Sequence, residues 1–290
     1  MNMHSTREFD AFGPWIDEVR TADDLPRLYR NAGLDPATCR LVLKVPRDIE
    51  RRNANPGMHL YDYLLALDDE TLTVLWRTGD TFDRVSLPLD RVAAIEDSVR
   101  LLNGRLTVHV VDGSAYTVAY NGSASGPIRD LIRELRLRCL PATPSVVADD
   151  LGVPAEPRLG RDDTGLLTDY HRLIGSEPGL RLINASERRV VVPHAAAERL
   201  YRRVWPITLH ASILVADDRE IQVIHRRDWF TPAGDDLSLA RTVLPRARIT
   251  GLTARPHGRY RDVHVVTAQA GAVELHFPMA AGPFTTTLLS

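Results

Sequence analysis

The residues Tyr63 to Arg77, Y-L-L-A-L-D-D-E-T-L-T-V-L-W-R, carry the clearest structural instruction in this chain. Apolar residues run up to an Asp-Asp pair and then resume with a period of two, the pattern of two strands joined by a tight turn. A second stretch, S-I-L-V-A-D-D-R-E-I-Q-V-I-H-R (Ser212 to Arg226), repeats it with the Asp-Asp pair in the same place. The flanks repeat as well. L-V-L-K-V-P (Leu41 to Pro46) precedes the first hairpin, and R-V-V-V-P (Arg189 to Pro193) precedes the second. Downstream, P-L-D-R-V-A-A-I (Pro88 to Ile95) and P-R-A-R-I-T-G-L (Pro245 to Leu252) share Pro-x-x-Arg-(Val/Ile)-x-x-(Ile/Leu). Each half then closes on an alternating strand and a Gly-Pro: Y-T-V-A-Y before Gly126-Pro127, V-E-L-H-F before Gly282-Pro283. A repeat of this length reads as a duplicated domain, not as a solenoid.

Outward from the first hairpin, alternation predicts strands near 41–46, 59–67, 71–77, 84–88, 91–96, 105–111 and 115–120. Asn55-Pro56-Gly57, Asp68-Asp69, Thr78-Gly79-Asp80, Asn103-Gly104 and Asp112-Gly113 read as the turns between them. The period then changes. Ile128, Leu131, Ile132 and Leu135 fall at i, i+3, i+4 and i+7, one apolar stripe of a helix that Ser125 can cap. A short helical lead-in is expected over residues 12–33, with Leu25, Leu28 and Tyr29 on one face. Residues 141–163, rich in Pro, Ala and Asp, read as a linker. A short helix near Leu166 to Ile174 follows. Strands are then expected near 188–193, 207–215, 220–226, 240–245, 247–252, 262–267 and 272–277. The second closing helix is stunted, because three threonines follow Gly282-Pro283-Phe284. The expected organisation is a first domain over 1–140, the linker, and a second domain over 164–290.

Size and composition agree with two domains. The chain has 290 residues, 44% hydrophobic and 26% charged, ordinary values for a globular protein. No apolar run is long enough to span a bilayer, and the first ten residues lack the apolar core of a secretory signal. Cys39 and Cys139 are too few for a disulfide framework or a structural zinc, so a reduced, cytoplasmic setting is expected. A formal net charge of −2 argues against nucleic acid as a partner. Lys44 is the only lysine, so the abundance of arginine reflects a compositional bias before it reflects phosphate recognition.

Seven antiparallel strands closed by a C-terminal amphipathic helix resemble the pleckstrin-homology-like (PH-like) fold, and its bacterial branches most. The likeness rests on the Asp68-Asp69 hairpin, the Pro88-to-Ile95 segment, the Asp112-Gly113 hairpin and the helix from Ser125, together with their repetition in the second half. The resemblance implies a mainly β chain of two seven-stranded antiparallel barrels or sandwiches. Each would carry a short preceding helix and a closing helix, the second one truncated. It also implies a non-catalytic module with no cofactor that recognises a protein or peptide partner through its loops and helix-sheet groove. Fold analogy alone carries function weakly.

Three residue sets could bear chemistry. Domains of this kind that bind phosphorylated head groups gather cations on the first strand and the loop after it. Lys44, Arg47, Arg51 and Arg52 stand there, with Arg199, Arg202 and Arg203 in the second half, next to Arg188 and Arg189. Guanidinium groups suit phosphate geometry, so an anionic small ligand or a membrane surface is the alternative partner. Trp229-Phe230, inside the insertion Arg227 to Asp236, could anchor a partner or pack inward. Phe12-Gly13-Pro14-Trp15-Ile16 raises the same choice, with packing against the other domain as the expected outcome. His264 and His276 would face one another if their hairpin turns at 269–271, with Glu274 nearby, and could then hold zinc. No HExxH-type spacing accompanies them. Asp169, His171 and Ser212 have the residue types of a hydrolytic triad, but no G-x-S-x-G or oxyanion turn goes with them.

Overall fold

Asp68 and Asp217 build the same turn. Asp68 Oδ1 accepts the N–H groups of Glu70 and Thr71 at 2.8 and 2.7 Å; Asp217 Oδ1 accepts those of Arg219 and Glu220 at 2.7 and 2.8 Å. A short acceptor side chain that bonds its own backbone two and three residues on fixes a tight corner. Both hairpins are tied again at their far side: Leu89 N–H donates to Glu70 O, and Arg246 N–H to Arg219 O, each at 2.8 Å. Pro88 and Pro245 each introduce a single 3-10 turn at that point. These details come from a computed structural model, which describes residues 6–140, 156–177, 179–232 and 236–287.

The first half runs α1 (Arg7–Ala11), β1 (Asp17–Glu18), β2 (Leu41–Pro46), β3 (Tyr61–Leu67), β4 (Thr71–Thr78) and β5 (Thr81–Pro88). It continues with β6 (Val92–Arg100), β7 (Asn103–Val110), β8 (Ala115–Asn121) and α2 (Ser125–Cys139). The second half opens with α3 (Thr164–Ser176), β9 (Arg181–Ser186), β10 (Arg189–Val191), α4 (Ala196–Arg202), β11 (Ile207–Leu209) and β12 (Ser212–Ala216). After these come β13 (Glu220–His225), β14 (Phe230–Pro232), β15 (Leu239–Pro245), β16 (Gly251–Pro256), β17 (Val263–Ala270), β18 (Val273–Ala280) and α5 (Pro283–Thr287). The chain is mainly β, and every strand pairing described is antiparallel.

The sheets follow the orders β1-β2-β3-β4-β5, β10-β11-β14, β8-β7-β6-β15-β13-β12-β9 and β16-β17-β18. None closes into a barrel, which corrects the barrel alternative of the sequence reading. Closure needs an edge strand to bond back to the far end of its own sheet. The edge of β6 is spent on β15, with Leu239 opposite Val99 and Val243 opposite Ile95, and each sheet ends in open edges.

Contacts group the chain into two units. One takes Met1–Val92, Leu101–Leu106 and Thr117–Cys139; the other takes Ala93–Arg100, Thr107–Tyr116 and Leu140–Ser290. The units therefore interleave along the chain, where the sequence reading makes one cut at a linker. Of that linker, residues 141–155 lie outside the described residues.

In the first unit Phe12, Val19, Leu25, Tyr29, Val42, Leu60, Tyr61, Leu64, Ala66 and Leu75 form a buried cluster. Tyr29 OH donates to Asp62 O at 2.8 Å, and burial pushes its phenol pKa well up. The lead-in over 12–33 is not one helix, because Pro14 and Pro26 interrupt it. It becomes β1 and two 3-10 turns, Ala22–Asp24 and Arg27–Tyr29. Thr21 and Asp24 form a capping box at the first of these turns. The Phe12-to-Ile16 segment packs Phe12 within its own unit, edge-on to Tyr61 at 6.3 Å, where the sequence reading expects packing on the other domain. Asn103-Gly104 is not a turn. Both residues lie in β7, and Leu101 takes the left-handed corner at φ 54°. Gly104 is there because a Cβ would come within 2.4 Å of the Tyr120 ring.

In the second unit, one face of the β12-β13 ribbon presents Ile213, Val215 and Ile224 to Leu166, Tyr170 and Leu173 of α3. The opposite face presents Leu214 and Val223 to Val266, Ala268, Phe277 and Met279 of β17 and β18. The strand beside β12 is β9, not the 188–193 segment, which instead pairs with β11 as β10. The continuous strand expected over 207–215 is broken at His210-Ala211, and 247–252 splits into a 3-10 turn and the start of β16. As described, α5 spans 5 residues against 15 in α2.

Candidate docking surface

The connection from β9 to β12 holds an unusual helix. Pro193 bridges to Tyr260, and His194 N–H donates to Arg259 O at 2.9 Å, so the chain enters α4 tied to the 257–262 turn. The run A-A-A-E-R-L-Y-R (Ala195 to Arg202) is rich in helix formers. Glu198 lies in the first turn, where a negative charge is favoured. It is held by Arg259 (Nε to Oε1 2.8 Å) and by Arg202 four residues on (3.5 Å). Arg259 first, and Arg202 after it, keep the Glu198 carboxyl below its usual range. Arg199 donates to His194 O at 3.2 Å, and Arg202 to Trp205 O at 3.5 Å.

The polar side of α4 is thereby turned toward the chain, with Glu198, Arg199 and Arg202 half-buried. The apolar side points to solvent. Leu200 is 73% exposed, Val204 67%, Trp205 57% and Tyr201 55%. The Tyr201 and Trp205 rings lie 5.0 Å apart, and Arg202 stands over Tyr201 at 5.3 Å. Val190 and Val192 also point outward, on either side of buried Val191. An ordinary surface helix has the reverse polarity. Exposed apolar side chains are thus gathered on one short helix whose charged side is held by ion pairs.

The cations of the first half are placed differently. Lys44 Nζ reaches Asp24 O at 3.5 Å and stands over the Tyr61 ring at 5.2 Å. Arg47 donates to His59 O at 3.2 Å and lies 3.8 Å from Asp62. Arg51 donates to Phe12 O and, at 3.4 Å, to Asp10 O, with Phe9 under its guanidinium at 4.9 Å. Arg52 pairs with Glu50. These four bind the chain itself and do not converge on one point. Arg203 is exposed at the end of α4, and Arg188 lies 3.4 Å from Asp162.

Trp229 and Phe230 are half-buried and pack on their own unit, the inward one of the two placements open from sequence. Trp229 stacks on His225 (4.6 Å, 8°) and meets Phe277 edge-on at 6.1 Å. Phe230 packs on Tyr260 and His257 at 5.1 and 5.4 Å. Residues 233–235 of that insertion lie outside the described residues. His264 and His276 do not face one another. The hairpin turns between Ala270 and Val273, one step later than expected, so His264 sits opposite Met279 and His276 opposite Thr267. With a side-chain period of two, the two imidazoles lie on opposite faces of the ribbon. Their ring nitrogens meet Thr285 (2.8 Å) and Thr267 (3.0 Å) respectively.

One feature had no sequence signal, a buried polar layer around β13. His225 Nδ1 bonds Arg226 O at 2.7 Å, so it carries the proton, and Nε2 accepts from the Thr242 hydroxyl at 3.0 Å. Burial pushes its pKa down and keeps it neutral. Arg226 pairs with Asp163 at 3.2 Å, both buried, and also donates to Ser238 O at 2.8 Å. Arg227 donates to the Ser98 hydroxyl and carbonyl at 3.1 and 2.9 Å. Glu96 is held low, chiefly by His109, 3.9 Å away. Isolated letters such as His225 and Arg226 announce none of this, because their partners come from distant segments.

No helix among the described residues is long and apolar enough to cross a membrane. A scan against protein-family models, a search of curated proteins and a search of solved structures each find no match to this chain.

Proposed function

We propose that this protein is a non-catalytic docking module that recognises a protein or peptide partner, and that α4 is its contact surface. The observation that carries the reading is the inverted polarity of α4: its charged side is bonded inward through Glu198, Arg202 and Arg259, and its apolar side is held out to solvent. Exposed Trp and Tyr beside Arg is the composition of interface hot spots.

The duplicated PH-like reading fits with this. The order β2-β3-β4-β5 recurs as β9-β12-β13-β15, each set is followed by a three-strand run and then a helix, and the Asp68 and Asp217 turns share their hydrogen bonds. On that reading α4 occupies the connection after the first strand of the second repeat, a loop position suited to recognition. The alternative, an anionic ligand held by Lys44, Arg47, Arg51 and Arg52, would first have to break the bonds those groups make to the chain.

The test is a double variant, Leu200→Ser with Trp205→Ser. Quantitative affinity capture from cell extract should lose specific partners relative to wild type, while the variant melts at the wild-type temperature. An unchanged set of captured proteins would sink the reading.

A further inference from the structure

We infer that the α4 face takes an acidic segment of a partner protein, one that carries aromatic or aliphatic anchors; the inference rests on the docking reading above. Charge is the first argument. From Glu187 to Trp205 the chain has five arginines against two glutamates, in a protein whose formal total is −2. Glu198, one of the two, is already taken by Arg259 and Arg202. Arg189 and Arg203 are exposed in the same connection as Val190, Leu200, Tyr201, Val204 and Trp205. Exposed cations and exposed apolar side chains thus share one connection. Its complement is an apolar anchor flanked by carboxylates.

The first unit supplies the second argument, because there the corresponding connection is covered by the chain itself. R-E-F-D-A-F (Arg7 to Phe12) lies against the β2–β3 connection. Phe9 sits under the Arg51 guanidinium, Phe12 is buried at 4% exposure, and Arg51 donates to the carbonyls of Phe12 and Asp10. Glu8 accepts from the Arg27 N–H at 2.8 Å. An aromatic segment is therefore the kind of chain that already covers an arginine-bearing connection in this molecule. No described segment does this for α4, as the exposure of its apolar side records.

A bilayer fits less well. A helix lying in a membrane interface keeps its charged side toward water, whereas α4 spends that side on the protein, and it is 7 residues long.

The experiment places the photo-crosslinker benzoylphenylalanine at Leu200 and, separately, at Val204, in the cells from which the protein comes, and maps the linked peptide by mass spectrometry. The expected product is a segment with a surplus of Asp and Glu around Trp, Phe or Leu. A synthetic peptide of that sequence should bind about tenfold more weakly to Arg189→Glu/Arg203→Glu protein, and charge-reversed peptide should recover the loss. A basic or neutral linked segment, or binding indifferent to the arginine variant, overturns the acidic partner but leaves α4 a docking surface. Cross-linking to lipid, with sedimentation on phosphatidylcholine–phosphatidylserine vesicles, overturns it in favour of a membrane. Absence of any product at both positions, from protein that melts normally, overturns the docking reading as well.

Discussion

The β2–β3 and β9–β12 connections leave similar strands at similar points and end in opposite states. In the first, Arg51 reaches over the Phe9 ring and bonds the chain at Asp10 and Phe12, and the aromatic side chains of that segment join the core. In the second, the arginines Arg199 and Arg202 and the turn residue Arg259 fix a helix whose aromatic and aliphatic side chains stay in water. Cationic loops are common to both. What differs is where the apolar residues sit. In the first they come from another segment and close the site; in the second they belong to the loop and leave it open. The same residue types can therefore go with a closed connection or an open one, and the partners of each guanidinium separate the two.

The comparison breaks most visibly at Phe12. This ring is buried in the first core against Tyr61, so Phe12→Ala should cost about 3–5 kcal/mol in denaturant unfolding. A loss under about 1 kcal/mol would show that the covering segment is not part of the core. Arg51→Ala is the next step down. It removes charge-assisted bonds to two carbonyls and a cation over Phe9, at a partly exposed site, and should cost about 1–2 kcal/mol. If Arg51→Ala melts like wild type and instead loses affinity for an anionic ligand such as inorganic phosphate, that arginine serves recognition and the contrast fails.

Much of this was legible in the sequence, for a physical reason. Strand alternation and Asx turns are local, so β2 through β8, α2 and the Asp68 and Asp217 corners follow from neighbouring residues. Three errors have non-local causes. Asn103-Gly104 looks like a turn, but the glycine makes room for Tyr120, which is distant in sequence. R-V-V-V-P looks like the first strand of the second repeat, yet β9 takes that place and leaves β10 to pair with β11. The histidine pair fails by a shift in where the hairpin turns, and in a period of two that is enough to put the rings on opposite faces. The candidate surface was half legible. Arg199, Arg202 and Arg203 stand out by type, but the outward face of Leu200 and Trp205 depends on Arg259, which no local pattern links to Glu198.

A gentler probe of the second unit is pH. His225 is buried and its folded-state pKa lies below the ordinary histidine value; burial does the same to His210 and His257, more weakly screened from water. A depressed histidine binds its proton in the unfolded chain before it does in the folded one. Stability is therefore whole above about pH 6.5, the unfolded value, and declines as the pH falls below it. Each such group contributes a slope of at most about 1.4 kcal/mol per pH unit. Melting between pH 7.5 and 5 should show this decline, and His225→Gln should flatten part of it even if it lowers the plateau. An equal slope in the variant would mean that His225 is not the group that titrates, and that His210 or His257 carries the effect.

The smallest expected effect is the most telling for the comparison. Leu200→Ser, Val204→Ser and Trp205→Ser each remove an exposed apolar group whose side chain contributes nothing to a described core cluster. Each should change unfolding free energy by no more than about 0.5 kcal/mol, and a net gain is permitted because less apolar surface then meets water. Phe12 and Trp205 are both large aromatic residues beside an arginine-bearing connection, so the pair forms a matched control: one substitution should cost several kcal/mol and the other almost nothing. If Trp205→Ser destabilised the protein as Phe12→Ala does, α4 would be buried in solution by a part of this same chain. The two connections would then be alike, and the apolar face would need no partner to account for it.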